Sequence, residues 1–182
     1  MAASAKRNGQ RRPAVFLDRD GVINVDRGYV SSRANFKWIP GAIEAIKALN
    51  EAGYYVFVAT NQSGIARGLY SEQAMQELHD HMLCELAKKG ARIDDWRHSP
   101  FHPEGRVAAF AKASNWRKPG PGMILDLMKA WPVDLARSVL IGDKESDMQA
   151  AAAAHVRGLR FCGGNLLAFV RARVLGARRR AS

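Results

Sequence analysis

Ala14-Val15-Phe16-Leu17-Asp18-Arg19-Asp20-Gly21-Val22 decides how the chain is read. An apolar run rich in strand formers ends in two carboxylates one residue apart, and a glycine follows. A carboxylate withdrawn from water is costly unless it is paired or holds a cation. Residues i and i+2 of a strand point the same way. Asp18 and Asp20 are therefore expected to converge on one point, with Arg19 facing elsewhere. Two convergent carboxylates suit a hard cation, and they set a nucleophile beside a possible acid/base. The competing reading is a strand that ends in two surface acids.

Outward from this stretch, strands and helices alternate. Pro40-Gly41 opens a helix to about Glu51, with Ala42, Ile43, Ala45, Ile46 and Leu49 on its apolar side, and Gly53 stops it. A strand over Tyr54 to Ala59 runs into Thr60-Asn61-Gln62-Ser63-Gly64. Ser71 caps a helix to about Lys89, and Ile93 to His98 reads as a third strand. A helix spans Met123 to about Ala130. Ser138 to Ile141 is a short strand leading into Gly142-Asp143-Lys144. A helix from about Ser146, a strand over Gly158 to Phe161 and a helix capped by Asn165 complete the series. Residues 21–39 suggest a loop or small hairpin flap, and 99–117 an irregular insertion. The alternation predicts an α/β fold: a Rossmann-like three-layer sandwich with a mostly parallel sheet, right-handed crossovers and no separate cap domain.

The 182 residues, 47% hydrophobic and 25% charged, fit one domain with a real core. The net charge of +11 sits mostly at the ends: without Lys6, Arg7, Arg11, Arg12, Arg171, Arg173, Arg178, Arg179 and Arg180, 19 basic residues face 17 acidic ones. A nucleic-acid groove spreads its Lys and Arg across a folded face. We therefore expect a disordered basic tail over 1–13, one domain over 14–170 and a basic tail over 171–182, with no nucleic-acid partner. No apolar run approaches the ~18–20 residues that span a bilayer, and the polar N-terminus has no apolar signal core. Cys84 and Cys162 show no metal or redox spacing and read as reduced thiols. A cytoplasmic protein is expected, monomeric because no exposed apolar stripe stands out.

In a sheet of this kind, ligands sit beyond the carboxyl ends of the strands. Asp18 and Asp20 fall at one such exit, Thr60, Asn61 and Gln62 at a second, and Asp143 at a third, with Lys118 just before the helix that leads to it. Acids for Mg²⁺, a hydroxyl and a cation suit a phosphoryl group.

Asp18-Arg19-Asp20-Gly21, Thr60-Asn61-Gln62, Arg117-Lys118-Pro119 and Gly142-Asp143-Lys144, in this order, resemble the haloacid dehalogenase superfamily of phosphatases. Asn24 to Val30, Thr60 to Gly68 and Gly142 to Ala151 narrow the resemblance to its heptose-bisphosphate and histidinol-phosphate phosphatase group, over about residues 14–165. The resemblance implies an Mg²⁺-dependent phosphomonoester hydrolase that forms an aspartyl-phosphate on a small sugar phosphate. Its substrate would be a heptose 1,7-bisphosphate losing its 7-phosphate on the ADP-heptose route to lipopolysaccharide core. Histidinol phosphate or another small phosphomonoester stays open as an alternative, and so does a nucleic-acid end.

By the same resemblance, Asp18 is the nucleophile and Asp20 the acid/base. Mg²⁺ is held by the Asp18 side chain, the Asp20 backbone carbonyl and Asp143, with Lys144 and Asp147 adjacent. Thr60 and Lys118 bind the transferred phosphoryl oxygens. Asp26, Arg27, Gly28, Tyr29, Asn61, Gln62 and Ser63 line the substrate, and Arg117 contacts the sugar or its distal phosphate. For Asp147 a plain first-turn acid favoured by the helix dipole remains an equal reading.

Two departures accompany the resemblance. Val22 stands where the family usually has Thr. The zinc loop typical of this group has lost all four expected ligand positions, which here are Ser99, Phe101, Ser114 and Trp116. His98 and His102 alone do not make a closed tetrahedral site. Phe101 and Trp116 are expected to pack together in place of the metal. Purified protein is predicted to carry no zinc, and stoichiometric zinc in elemental analysis overturns that expectation.

Overall fold

β1 (Ala14–Leu17) is buried along its whole length and forms the middle of a five-stranded sheet. The computed structural model describes residues 10–176. After β1 the chain builds α1 (Ala42–Glu51), β2 (Tyr55–Asn61), α2 (Glu72–Lys88) and β3 (Asp95–Ser99). It continues with α3 (Gly122–Ala130), β4 (Val139–Gly142), α4 (Glu145–Ala153), β5 (Arg157–Arg160) and α5 (Leu166–Val170). The strand order is β3-β2-β1-β4-β5 and every neighbouring pair is parallel. Val15 lies opposite Val56 on one side and Val139 on the other. The chain winds outward from β1 to β3, then crosses back to β4, so the switch point lies between β1 and β4.

Alternation along β1 assigns the layers. Val15 and Leu17 join the core built with Ile46 and Leu49 of α1, Leu78 and Met82 of α2 and Leu166 of α5. Ala14 and Phe16 face the other core, with Ile124 and Leu127 of α3 and Ala150 and Ala151 of α4. In that second core Phe57 lies 5.4 Å from both Phe16 and Trp131, ring centre to ring centre. This is the expected three-layer α/β sandwich. The expected caps are present as well: Ser71 Oγ accepts from Ala74 N at 3.1 Å, and Asn165 Oδ1 from Ala168 N at 3.0 Å.

Residues 21–39 form the small flap. Ile39 N donates to Ile23 O (2.9 Å), Val25 N to Lys37 O (2.9 Å), and Trp38 Nε1 ties the flap to Glu85 of α2 at 2.9 Å. Residues 100–117 are irregular, as expected of 99–117, with Ser99 instead closing β3. No helix among the described residues is long and apolar enough to cross a membrane.

The folded part extends beyond both expected tail boundaries. Arg12 N donates to Pro132 O (3.0 Å), its Nε to Gly53 O (2.9 Å), and its guanidinium lies 4.4 Å from the Tyr55 ring centre. At the other end a π-helical turn, Arg171–Leu175, continues α5 and buries Val174 in the first core. Counting charge reads Arg12 as solvated, whereas its stem packs; Arg171 and Arg173 are exposed, and the residue buried between them and the end of the turn is Val174. The rest of the expected tails, 1–9 and 177–182, lies outside the described residues.

Phe57 is fully buried where three rings meet. Phe57→Ala is expected to lower unfolding free energy by about 3–5 kcal/mol in urea titration. Leu125→Ala, on the exposed side of α3, should change it by less than about 0.5 kcal/mol.

Candidate active site

The carboxyl ends of β1, β2 and β4 meet around one buried ammonium. Lys118 Nζ lies 2.9 Å from Asp18 Oδ1 and 2.5 Å from Asp147 Oδ1. Asp18, Lys118 and Asp147 are 6%, 3% and 0% exposed, so the three charges share one dry region. Each is placed by the fold. Asp18 leaves β1 with its N–H on Ile141 O of β4 at 3.0 Å. Asn61, at the end of β2, clamps the Lys118 backbone: its Nδ2 donates to Lys118 O, and its Oδ1 accepts from Lys118 N, both at 3.0 Å. Asp147 is the third residue of α4, and its Oδ2 caps that helix by accepting from Lys144 N at 2.9 Å. Asp147 thus stands in the first turn of α4 and at the same time pairs with the site lysine, a contact that neither reading of the sequence anticipates.

Two glycines permit this closeness. Gly21 adopts φ +87°, and a Cβ there would strike the Asp143 carboxylate. A Cβ on Gly142 would strike Asp147.

The electrostatics leave a deficit of positive charge. Burial pushes the Asp18 carboxyl up to about 6 against the pull of Lys118, with Asp147 and Asp20 adding to the rise. Asp143 is also raised, chiefly by burial, with Asp147 and Asp26 contributing. Burial alone would lower Lys118, but Asp18 and Asp147 outweigh it and hold its pKa above the usual lysine value. Carboxylate oxygens of Asp18, Asp143 and Asp147 all lie within 4.8 Å of one another. Asp143 Oδ1 is buried with no hydrogen-bond partner. A compact all-oxygen donor set of this charge fits a small divalent cation such as Mg²⁺.

Asp20 sits in a separate network. Its Oδ1 accepts from Asn24 Nδ2 at 2.9 Å and its Oδ2 from Gln62 Nε2 at 3.0 Å. Arg19 Nη2 reaches both oxygens, at 3.1 and 2.9 Å. Arg19 thus does not face away from the acids. β1 ends at Leu17, and Arg19 O already accepts from the N–H groups of Ile23 and Asn24. The chain is turning at Arg19, and strand alternation no longer governs its side chain. Gln62 Nε2 also donates to Thr60 Oγ1 (2.9 Å), and Tyr70 OH fixes the Gln62 amide by donating to its Oε1 at 2.6 Å.

A pocket of about 500 Å³ opens over these groups, within the usual range for small-molecule sites. Asp18, Asp20, Thr60 and Lys118 line it, as do Asn61, Gln62 and Ser63 from the β2 exit. The flap contributes Asp26, Gly28 and Tyr29, and Arg117 and Lys144 line it as well. Lys144 Nζ pairs with Asp26 Oδ2 at 3.0 Å, joining the flap to the start of α4. Three expected residues lie outside the lining: Asp143 and Asp147, whose carboxylates meet Asp18 beneath it, and Arg27, which is exposed. Gly28 N donates to Asp26 Oδ1 at 2.9 Å, closing a turn that leaves Arg27 at its apex. Tyr70 and Ser146 also line the pocket; Ser146 falls within the Gly142 to Ala151 stretch without being picked out there, and Tyr70 stands in no motif that the sequence singles out.

The 99–117 loop differs from expectation in its packing. Phe101 takes Phe110 as its ring partner at 6.1 Å, with Lys112 Nζ 5.0 Å from its ring centre, while Trp116 is 36% exposed. The loop folds back on itself, with His102 N donating to Phe110 O at 3.2 Å, and this brings Phe110 to the place expected for Trp116. Arg117 is half-buried, and burial together with Arg67 lowers its pKa.

A family profile for haloacid dehalogenase-like hydrolases matches residues 15–83, and a related HAD-hydrolase-like profile matches 115–164. The chain is 56% identical over 171 residues to the D-glycero-beta-D-manno-heptose-1,7-bisphosphate 7-phosphatase of Rhodopseudomonas palustris, covering 94% of this chain and 93% of that one. It is 46% identical over 144 residues to the enzyme of that name from Escherichia coli K12, covering 79% and 75%. Among solved structures, the D,D-heptose 1,7-bisphosphate phosphatase from B. bronchiseptica, complexed with magnesium and phosphate, superposes with a TM-score of 0.76 at 35% identity, covering 91% of this chain and 86% of that one. With near full-length identity above half, and an acidic, lysine-centred pocket at the sheet's switch point, this chain belongs to the haloacid dehalogenase-like hydrolases, in the family of the D-glycero-beta-D-manno-heptose-1,7-bisphosphate 7-phosphatases.

Proposed function

We propose that this protein removes the 7-phosphate of D-glycero-beta-D-manno-heptose 1,7-bisphosphate, with Mg²⁺ as cofactor, in the cytoplasmic route to ADP-heptose and lipopolysaccharide core. The reading rests above all on one observation: a buried carboxylate, Asp18, held against Lys118 at 2.9 Å in a pocket that also presents Asp20. The identity to relatives named for this reaction, over nearly the whole chain, supports the substrate. We take the protein to act as a monomer without a nucleic-acid or membrane partner.

Asp18 is the nucleophile. One of its oxygens attacks phosphorus, and the bond from phosphorus to the sugar oxygen breaks. Asp20, placed by Asn24 and Gln62, gives its proton to the departing alkoxide. The Asp20 carboxylate then takes a proton from water as the water oxygen attacks the phosphorus of the aspartyl-phosphate. The bond to Asp18 breaks and inorganic phosphate leaves. Lys118 and Thr60 meet the equatorial oxygens during both transfers, where fixed donors in a water-poor site act most strongly. Asp18, the Asp20 carbonyl and Asp143 would hold Mg²⁺, with Asp147 beside them gripping Lys118. The cation supplies charge neutralisation of the phosphoryl group. Arg117 offers a planar donor to the distal end of the substrate, while Asp26, Gly28, Tyr29, Asn61, Gln62 and Ser63 shape the sugar site. Lys144 and its partner Asp26 bring charge to the same pocket.

Asp18→Asn is expected to cut phosphate release by about 10⁴-fold or more, with circular dichroism and thermal unfolding unchanged in form. Release within tenfold of wild type overturns the nucleophile assignment. In a comparison of substrates with Mg²⁺, kcat/KM on heptose bisphosphate should exceed that on histidinol phosphate and on 3′-phosphorylated DNA ends by at least about 100-fold, some 2.7 kcal/mol. The reverse order assigns the site to another phosphomonoester.

A further inference from the structure

Among the described residues Arg19 is the largest fully buried side chain, at 0% exposure, and it is charged. A buried guanidinium persists only with good partners. Nη2 meets both oxygens of Asp20 (3.1 and 2.9 Å) and the Val30 carbonyl of the flap at 2.5 Å. Nη1 lies 3.3 Å from His79 Nε2, a residue of α2. Arginine only donates, so His79 Nε2 is the acceptor and its proton sits on Nδ1. His79 is 3% exposed and stacks on Trp96 of β3, ring centres 4.2 Å apart. Arg19 does not line the pocket, and the reaction described above makes no use of it or of His79.

We infer that Arg19, backed by neutral His79, is a positioning residue: it holds the Asp20 carboxyl in the orientation from which its proton reaches the departing oxygen. This rests on the proposed role of Asp20. Three donor groups converge on that carboxyl, from Asn24, Gln62 and Arg19. Asn24 and Gln62 each grip one oxygen, and Arg19 spans both. Its second anchor, the Val30 carbonyl, links the same guanidinium to the flap that carries Asp26, Gly28 and Tyr29. His79 closes the far side, where a protonated imidazole would oppose the guanidinium. An arginine serving stability alone would affect every substrate equally. One that orients the proton donor affects substrates in proportion to how much they need the proton.

The test is the leaving group. A sugar alkoxide leaves poorly without a proton, whereas the nitrophenolate of p-nitrophenyl phosphate leaves unaided. Up to the first irreversible step, kcat/KM reports transfer to Asp18 and therefore the role of the acid. Arg19→Met, which removes the charge and keeps the bulk, should lower kcat/KM on heptose bisphosphate by about 100-fold and on p-nitrophenyl phosphate by less than about tenfold. Arg19→Lys should recover part of the sugar-phosphate activity. Equal losses on the two substrates overturn the inference. If Arg19→Met does not fold, His79→Leu, which leaves Arg19 without its acceptor, carries the test. It should show the same selective loss at smaller size, and equal losses or none overturn the inference. Asp20→Asn, measured in parallel, separates the two claims. If it shows no preference for the aryl ester, the acid role of Asp20 itself fails. If it shows the preference and the Arg19 and His79 variants do not, only the positioning role fails.

Discussion

A lysine ammonium shared between two buried carboxylates holds this structure's chemistry together. Taking any of these charges out of water alone would be prohibitive, and together they are tolerable because each is the others' partner. The consequences reach past the pair distances of 2.9 and 2.5 Å. Lys118 belongs to the long irregular connection, Asp18 to the exit of β1 and Asp147 to the first turn of α4. The cluster therefore fixes three segments that no backbone ladder joins. Asn61 adds a reciprocal pair of hydrogen bonds to the Lys118 backbone, so the lysine is set from both its ends. The balance is left short of positive charge, with Asp143 Oδ1 unpartnered beside it. The same burial that makes the cluster costly makes it attractive to a divalent cation and to a phosphoryl group that shares it.

The two acids of the first motif live in different surroundings, and that difference suits them to the different work proposed for them. Asp18 is buried against a shared lysine and titrates well above an ordinary aspartate. Asp20, its side chain 17% exposed, is surrounded by neutral amides and a guanidinium of its own. Pairs of carboxylates whose environments diverge in this way are how a site divides attack from proton transfer. Each acid has one buried cation: Asp18 has Lys118 from a distant loop, and Asp20 has Arg19, its neighbour in the chain.

The sheet, its parallel strands and the alternation of layers were legible because burial imposes a period. β1 reads as a continuous apolar run because both of its faces are covered. The glycines and caps at Gly41, Ser71 and Asn165 mark helix starts by local chemistry alone. The rim residues Asp18, Asp20, Thr60 and Asp143 were legible for a related reason: a polar residue at the end of a buried strand stands out against the pattern. Arg27 was misplaced because nothing local separates a flap residue that faces the pocket from one at a turn's apex. Phe101 was given the wrong ring partner because aromatic pairing across an irregular loop depends on how the loop folds back. Arg12 and Val174 fell into expected tails because charge counting ignores packing.

By itself, the sequence determined the strand-helix order, the positions of the acids and the lysine relative to strand ends, and the family. These follow from period, capping and motif, all of which act over a few residues. Only the tertiary structure decided that Arg19 turns back onto Asp20, that Asp147 grips Lys118 while capping its helix, and that Tyr70 fixes the amide of Gln62. Asp147 with Lys118 and Tyr70 with Gln62 meet only through loop closure, and Arg19 meets its neighbour Asp20 because the chain turns there and buries the guanidinium. A charge whose partner lies 29 residues away, as Asp147 does from Lys118, carries no local mark of that partner. The physical cost of burying it is what reveals the pairing once the fold is in hand.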